Sequence, residues 1–160
     1  TDSMAALACL AGSAGRERAE ALAAFYERWQ GEALVIDKWF RVQATSDLPG
    51  ASERLRSLTA HPAFDPRNPN RARSVLHAFA LDNLVHFHAR DGSGYRFVAE
   101  SVVELDRFNP QIASRLARAF DRWRKCDAGR RAHAQAALES IRAAAGTSAD
   151  VTEVVSRALA

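Results

Sequence analysis

Two short stretches concentrate donors at the starts of helices. "NPNRARS" (68–74) and "NPQIASRLAR" (109–118) share an Asn-Pro-amide opening, Asn68-Pro69-Asn70 and Asn109-Pro110-Gln111. Asn is a favoured N-cap and Pro suits the first helical position. Each stretch then carries an arginine three or four residues beyond its amide, Arg73 and Arg115. A helix N-terminus already bears roughly half a positive charge and favours Asp or Glu in its first turn. Here that turn receives Arg71 and Arg73, with Arg67 just before it and no acid nearer in sequence than Asp65. In the second helix Gln111, Arg115, Arg118 and Arg122 follow one another at helical spacing beside the apolar seam. In the first, Arg73 and His77 stand one turn apart. Two readings fit: a solvated arginine face behind ordinary caps, or one positive wall made by two helix N-termini. Such a wall suits a carboxylate or backbone carbonyls, since terminal amides and guanidinium forks both donate.

Other chemistry-bearing residues are sparser. The sequence holds no H-E-x-x-H, G-x-S-x-G or Walker loop, so no catalytic residue and no metal ligand is assigned. In "VHFHAR", His86 and His88 are two apart, which on a helix turns them about 200° from each other; one zinc could not readily use both. "DGSGY" (91–95) has loop glycines without the G-x-G-x-x-G pattern, and reads as a turn with Asp91 or Ser93 capping the next helix. Cys9 and Cys126 lie far apart with no C-x-x-C, which argues against a metal knuckle or redox pair and makes a reducing compartment the expected setting.

These residues need rigid elements behind them, and the dominant period is helical. Leu22, Phe25, Tyr26 and Trp29 follow an i, i+3, i+4, i+7 pattern. Similar faces carry Val35, Ile36, Trp39, Phe40 and Val42; then Ala72, Val75, Leu76, Phe79 and Ala80; then Phe97, Val98, Val102 and Leu105. Ile112, Leu116, Phe120 and Trp123, then Leu138 and Ile141, and finally Val151, Val154, Val155 and Leu159 complete the series. About eight or nine helices with short connections predict an all-α fold, a superhelix of antiparallel helix pairs of the HEAT or armadillo kind. A compact irregular bundle is the alternative, since no strict repeat is visible. Length (160 residues) and composition, with 48% hydrophobic and 26% charged residues, fit one globular domain. A net charge of +3 is too modest to indicate nucleic-acid binding by itself. No apolar run approaches a membrane span, and the first residues lack the basic start of a signal peptide.

The string "HPAFDPRNPNRARSVLHAFA…FHARDGSGYRFVAE…LDRFNPQIASRLARAFDRWRKCDAGRRAHAQAAL…VSRALA" resembles the C-terminal helical domain of the bacterial aminopeptidase N family, zinc-dependent metallopeptidases. The resemblance covers essentially residues 1–160, from "ALAAFYERWQ" and "VIDKWFRVQA" to the end, and implies a single C-terminal domain of a longer polypeptide. It implies an α-superhelix that caps a catalytic domain and helps enclose its cavity. The zinc and its H-E-x-x-H ligands would lie in that other domain, with no cofactor in this chain. Arg73, Gln111 and Arg115 match positions that line the cavity wall near substrate, and are the expected substrate-binding residues. The resemblance also implies that His77 stands where a small residue is expected. The remaining domains of the same polypeptide and a peptide substrate are the expected partners, with no nucleic acid and no membrane, and the cytoplasm is the expected location. A chain of this kind alone is expected to hydrolyse nothing. The competing reading is a free-standing helical scaffold that grips peptides or partner helices.

Overall fold

The computed structural model describes residues 2–160, apart from the side chain of Leu10. The described residues form ten helices and no strand. They are α1 Asp2–Ala11, α2 Arg16–Trp29, α3 Ala33–Ala44, α4 Ala51–Ala60, α5 (residues 69–82), α6 Leu84–Phe87, α7 Ser93–Asp106, α8 Pro110–Ala117, α9 Ala128–Ala143 and α10 Ala149–Leu159. Two 3₁₀ turns, Arg118–Phe120 and Trp123–Lys125, follow α8. Neighbours in sequence are mostly neighbours in space. Helix α3 packs on α1, α2, α4 and α5, α7 packs on α4, α6, α8 and α9, and α10 packs on α8 and α9. That progression of short-range pairings is the solenoid the helical pattern predicts.

The ten helices exceed the eight or nine expected because α1 and α6 are resolved as separate elements. Helix α1 buries Leu7 and Ala11 against the rest. Between α5 and α6 the chain leaves helical geometry at Asn83 (φ −112°, ψ 66°), with neither Pro nor Gly to mark the break. The cause is tertiary. The buried Asn83 side-chain amide donates to Ala44 O (3.0 Å) and Ser46 O (2.9 Å), carbonyls left free where α3 ends. Arg54 donates into the same loop, to the carbonyls of Gln43, Ser46, Leu48 and Pro49. These donors fix the corner on which α5 and α6 stand.

The core runs the length of the solenoid. Phe40, Phe79, Phe87, Tyr95 and Phe120 are almost completely buried, and Phe87 makes edge contacts with Phe79, Tyr95 and Phe120. The aromatic periodicity of the sequence therefore marks core. At "DGSGY" the backbones approach so closely that only glycine fits. A Cβ on Gly94 would lie 2.3 Å from His86 O and 2.4 Å from Phe87 O. Gly92 adopts the left-handed φ of 74° with the His133 ring against it. Asp91 Oδ1 accepts from Ser93 N at 2.9 Å and closes the turn, so this loop is a packing joint between α6 and α7.

Candidate functional site

Helix α5 begins as its sequence dictates. Asn68 Oδ1 accepts from the backbone N–H of Asn70 (3.0 Å) and Arg71 (3.3 Å), with Pro69 at the first position. The three arginines around this start have three different fates. Arg71 is 8% exposed. Its Nε meets Asp37 Oδ1 of α3 at 2.5 Å, its Nη1 donates to Ala63 O, and its guanidinium lies 5.2 Å from the centre of the Phe40 ring. Arg67 lies over the Phe108 ring at 5.0 Å. Arg73 is exposed, and among the described residues it meets no carboxylate and donates no side-chain hydrogen bond. The acid that balances the crowded helix start is thus Asp37, supplied by a different helix.

From Arg73 to His77 the helix widens into a π-turn, in which Ala78 N–H reaches back to Arg73 O. Such turns are rare and recur at functional sites. His77 closes the turn, half-buried, with Nε2 at 3.2 Å from Ile112 O of α8. A carbonyl only accepts, so Nε2 carries the hydrogen and Nδ1 is left as a bare acceptor. That Nδ1 is buried and has no partner among the described residues. Burial lowers the pKa of His77, the Ile112 carbonyl pulls it upwards, and the charges of Arg73 and of Arg115 each lower it further.

Helix α8 has the matching start, with Asn109 Oδ1 accepting from Ile112 N at 3.1 Å and Pro110 following the cap. Its Ile112, Ala113, Leu116 and Ala117 turn into the core, leaving Gln111 and Arg115 exposed one turn apart. Arg115, like Arg73, has no ion pair among the described residues. The Arg67–Phe108 and His77–Ile112 contacts join the two helix starts, and the charges of Arg73 and Arg115 both act on the His77 ring. Beside Arg73 a shallow hollow of about 210 Å³ is lined by Asp37, Lys38, Arg41, Asn70 and Ser74. Arg73, Gln111 and Arg115 are exposed, and guanidinium forks and a side-chain amide are donors suited to an anion or carbonyl oxygens and poorly suited to proton transfer.

The remaining motifs are absorbed by structure. His86 Nε2 contacts Asp47 O at 2.8 Å, while His88 Nδ1 bonds the Tyr95 hydroxyl at 2.6 Å with Cys126 Sγ nearby. Among the described residues no three His, Cys, Asp or Glu side chains come together as a metal site. The repeated opening singles out Arg73 and Arg115 in the sequence, which carries no signal for the π-turn or for the His77–Ile112 bond.

The family described as "Domain of unknown function (DUF3458_C) ARM repeats" matches residues 1–160, and the chain belongs to it. Similar proteins include aminopeptidase N of Caulobacter vibrioides, 40% identical over 159 residues, which are 99% of this chain and 18% of that protein. Aminopeptidase N of Escherichia coli is 40% identical over 160 residues, 100% of this chain and 18% of that protein. Among solved structures, Legionella pneumophila aminopeptidase A in complex with aspartic acid aligns with a TM-score of 0.91 at 33% identity, over 98% of this chain and 18% of that one. The chain therefore spans 18% of the length of these relatives, and the stretch it matches is the C-terminal part of the aminopeptidase N proteins.

Proposed function

We propose that this chain is the accessory C-terminal domain of a zinc aminopeptidase, where it caps the catalytic domain and lines the cavity that receives peptides. The observation that carries the reading is the pair Arg73 and Arg115, exposed, without an ion pair among the described residues and both acting on the charge of His77, with Gln111 one turn from Arg115. On this surface they bind and orient a peptide through its carbonyls or its terminal carboxylate. A catalytic zinc requires about three protein ligands and an open position, and the described residues offer no such set. The hydrolytic step and its metal belong, in this reading, to the other domains of the same polypeptide. No helix among the described residues is long and apolar enough to cross a membrane, and we place the assembly in the cytoplasm.

The test is Arg115→Ala in the full-length enzyme. Loss of a charge-assisted hydrogen bond predicts a rise in KM equivalent to about 1–3 kcal/mol, with kcat and zinc content little changed. A variant with unchanged KM towards peptides of several lengths overturns the substrate-facing role.

A further inference from the structure

Helices α4 and α7 pack on each other and leave a groove of about 280 Å³ between them. That is close to the ~300 Å³ at which small-molecule sites begin. Leu76 of α5 and Leu105 of α7 are buried beneath it, and Phe64 and Phe97 are half-buried along it. The polar lining is of two kinds. Arg56, exposed on α4, brings a guanidinium with its fork of donors. Glu100 and Glu104, exposed one turn apart on α7, bring carboxylates. Thr59 Oγ1 donates to Leu55 O (3.1 Å) and Arg56 O (3.2 Å), and Ser101 Oγ donates to Phe97 O at 2.8 Å. Both hydroxyl hydrogens are thus committed within their own helices, so these two groups offer the groove acceptors alone.

An exposed charge without a partner is ordinary. Here a cation, two anions and two aromatic rings border a single cavity. Among the described residues, Arg56, Glu100 and Glu104 form no ion pair with one another or with any other group. More than about 4 Å therefore separates the guanidinium from either carboxylate. Arg107, which shares a shallow hollow with both glutamates on the side of α9, pairs with neither. Like charges at i, i+4 repel along a helix, and no cation of the chain relieves Glu100 and Glu104.

We propose that this groove binds a free α-amino acid with an apolar side chain: its carboxylate on Arg56, its ammonium on Glu100 and Glu104, its side chain against Phe64 and Phe97. A guanidinium and a carboxylate make two parallel N–H···O bonds, and an ammonium brings three donors to a side rich in acceptors. One carbon of the ligand carries both charges and the side chain, so one small molecule reaches every part of the lining. A plain carboxylate would add a third negative charge beside the two glutamates, and glycine would leave the rings uncovered. The groove contains none of Arg73, Gln111 and Arg115, so its ligand is independent of their role.

The test uses the 160-residue chain, labelled for NMR, at about pH 6, where an α-amino group is charged. L-leucine is the probe; glycine, leucinamide and isocaproate lack in turn its side chain, its carboxylate and its ammonium. Leucine is expected to shift amide signals on the facing parts of α4 and α7, and to bind roughly tenfold or more tighter than each of the others. Arg56→Ala is expected to reduce leucine to the affinity of leucinamide while leaving leucinamide unaffected. Glu104→Gln is expected to weaken leucine and leucinamide together. Both residues are exposed, and neither substitution removes a contact of the core. Equal affinity for leucine and isocaproate would make the groove merely apolar and overturns the proposal. So does leucine that shifts signals elsewhere or none. In the full-length polypeptide, leucine is expected to slow amide exchange in α7. Exchange there that is already slow and unmoved by leucine means that another domain fills the groove, and this too overturns the proposal.

Discussion

Arg71 and Arg73 are two residues apart, and replacing each with Ala should have very unequal consequences. The Arg71 side chain is 10% exposed and its partner Asp37 16%. Truncating Arg71 removes the ion pair, the donor to Ala63 O and the cation over Phe40 together. What stays behind is a largely buried carboxylate with no counter-charge. Removing one partner of a buried pair costs about 3–5 kcal/mol. The net stability of a typical domain is about 5–15 kcal/mol, so Arg71→Ala consumes a large share of it. Arg73 is exposed and has no partner to strand among the described residues, and its removal should stay within about 0.5 kcal/mol. Urea unfolding followed by far-ultraviolet circular dichroism gives both numbers, provided the slope with denaturant is unchanged so that midpoints compare directly. The double variant Arg71→Met with Asp37→Leu should recover much of the loss, because an apolar pair leaves no charge buried. Equal midpoints for Arg71→Ala and Arg73→Ala would refute the division into a structural and a solvent-exposed arginine.

Gly94→Ala should destabilise the chain by about 2–3 kcal/mol, since the new Cβ meets backbone atoms of α6 that cannot rotate away. Gly129→Ala, near the start of α9 with only Asp127 Oδ1 at 3.4 Å from the new atom, should instead be neutral or stabilise by up to about 1 kcal/mol; the same sign for both, read by urea melts, contradicts the packing argument. Burial lowers the pKa of His61, His77 and His88, and nearby arginines lower each further. The unfolded chain therefore binds more protons just below the ordinary imidazole value, so stability is present above that value and is lost as pH falls through it. Thermal melts at about pH 5 and pH 7 should show the higher Tm at pH 7, and a higher Tm at the acid end refutes the sign. Asp106→Ala removes the acceptor of both Ser148 N (2.7 Å) and Ser148 Oγ (2.6 Å), so amide exchange should speed up first in α10; uniform protection across α9 and α10 would count against that anchor.

The all-helical fold was legible because its signal is local. Val75, Leu76 and Phe79, or Ile112, Leu116 and Phe120, declare one buried stripe by spacing alone, and all six are buried. The caps Asn68 and Asn109 were legible for the same reason. What escaped depends on residues distant in sequence. Asn83 ends α5 by reaching carbonyls 37 and 39 positions earlier, and Arg71 finds its acid 34 positions earlier. Neither pairing leaves a mark on its own segment. Helix α1 escaped for a different reason: its run of alanines gives a weak apolar contrast, with Leu7 and Ala11 buried among its described side chains. Of the arginines, spacing could group Arg71 with Arg73, yet only the packing of α3 separates them.

The π-turn at 73–77 works as a phase shifter. Successive α-helical residues turn by about 100°, so the extra residue held in the wide turn rotates everything downstream by about that angle relative to an uninterrupted helix. Upstream of it the helix is set by Arg71 facing Asp37; downstream it is set by Phe79, which is 1% exposed and touches Phe87 and Phe97 edge-on. Deleting one residue within 73–77 would leave a perfectly regular helix whose two ends could no longer both be in register. Either Phe79 swings out of the core or Arg71 loses Asp37. The irregularity is what lets one short helix keep two appointments set by different neighbours, with Arg73 carried on the outside of the bend.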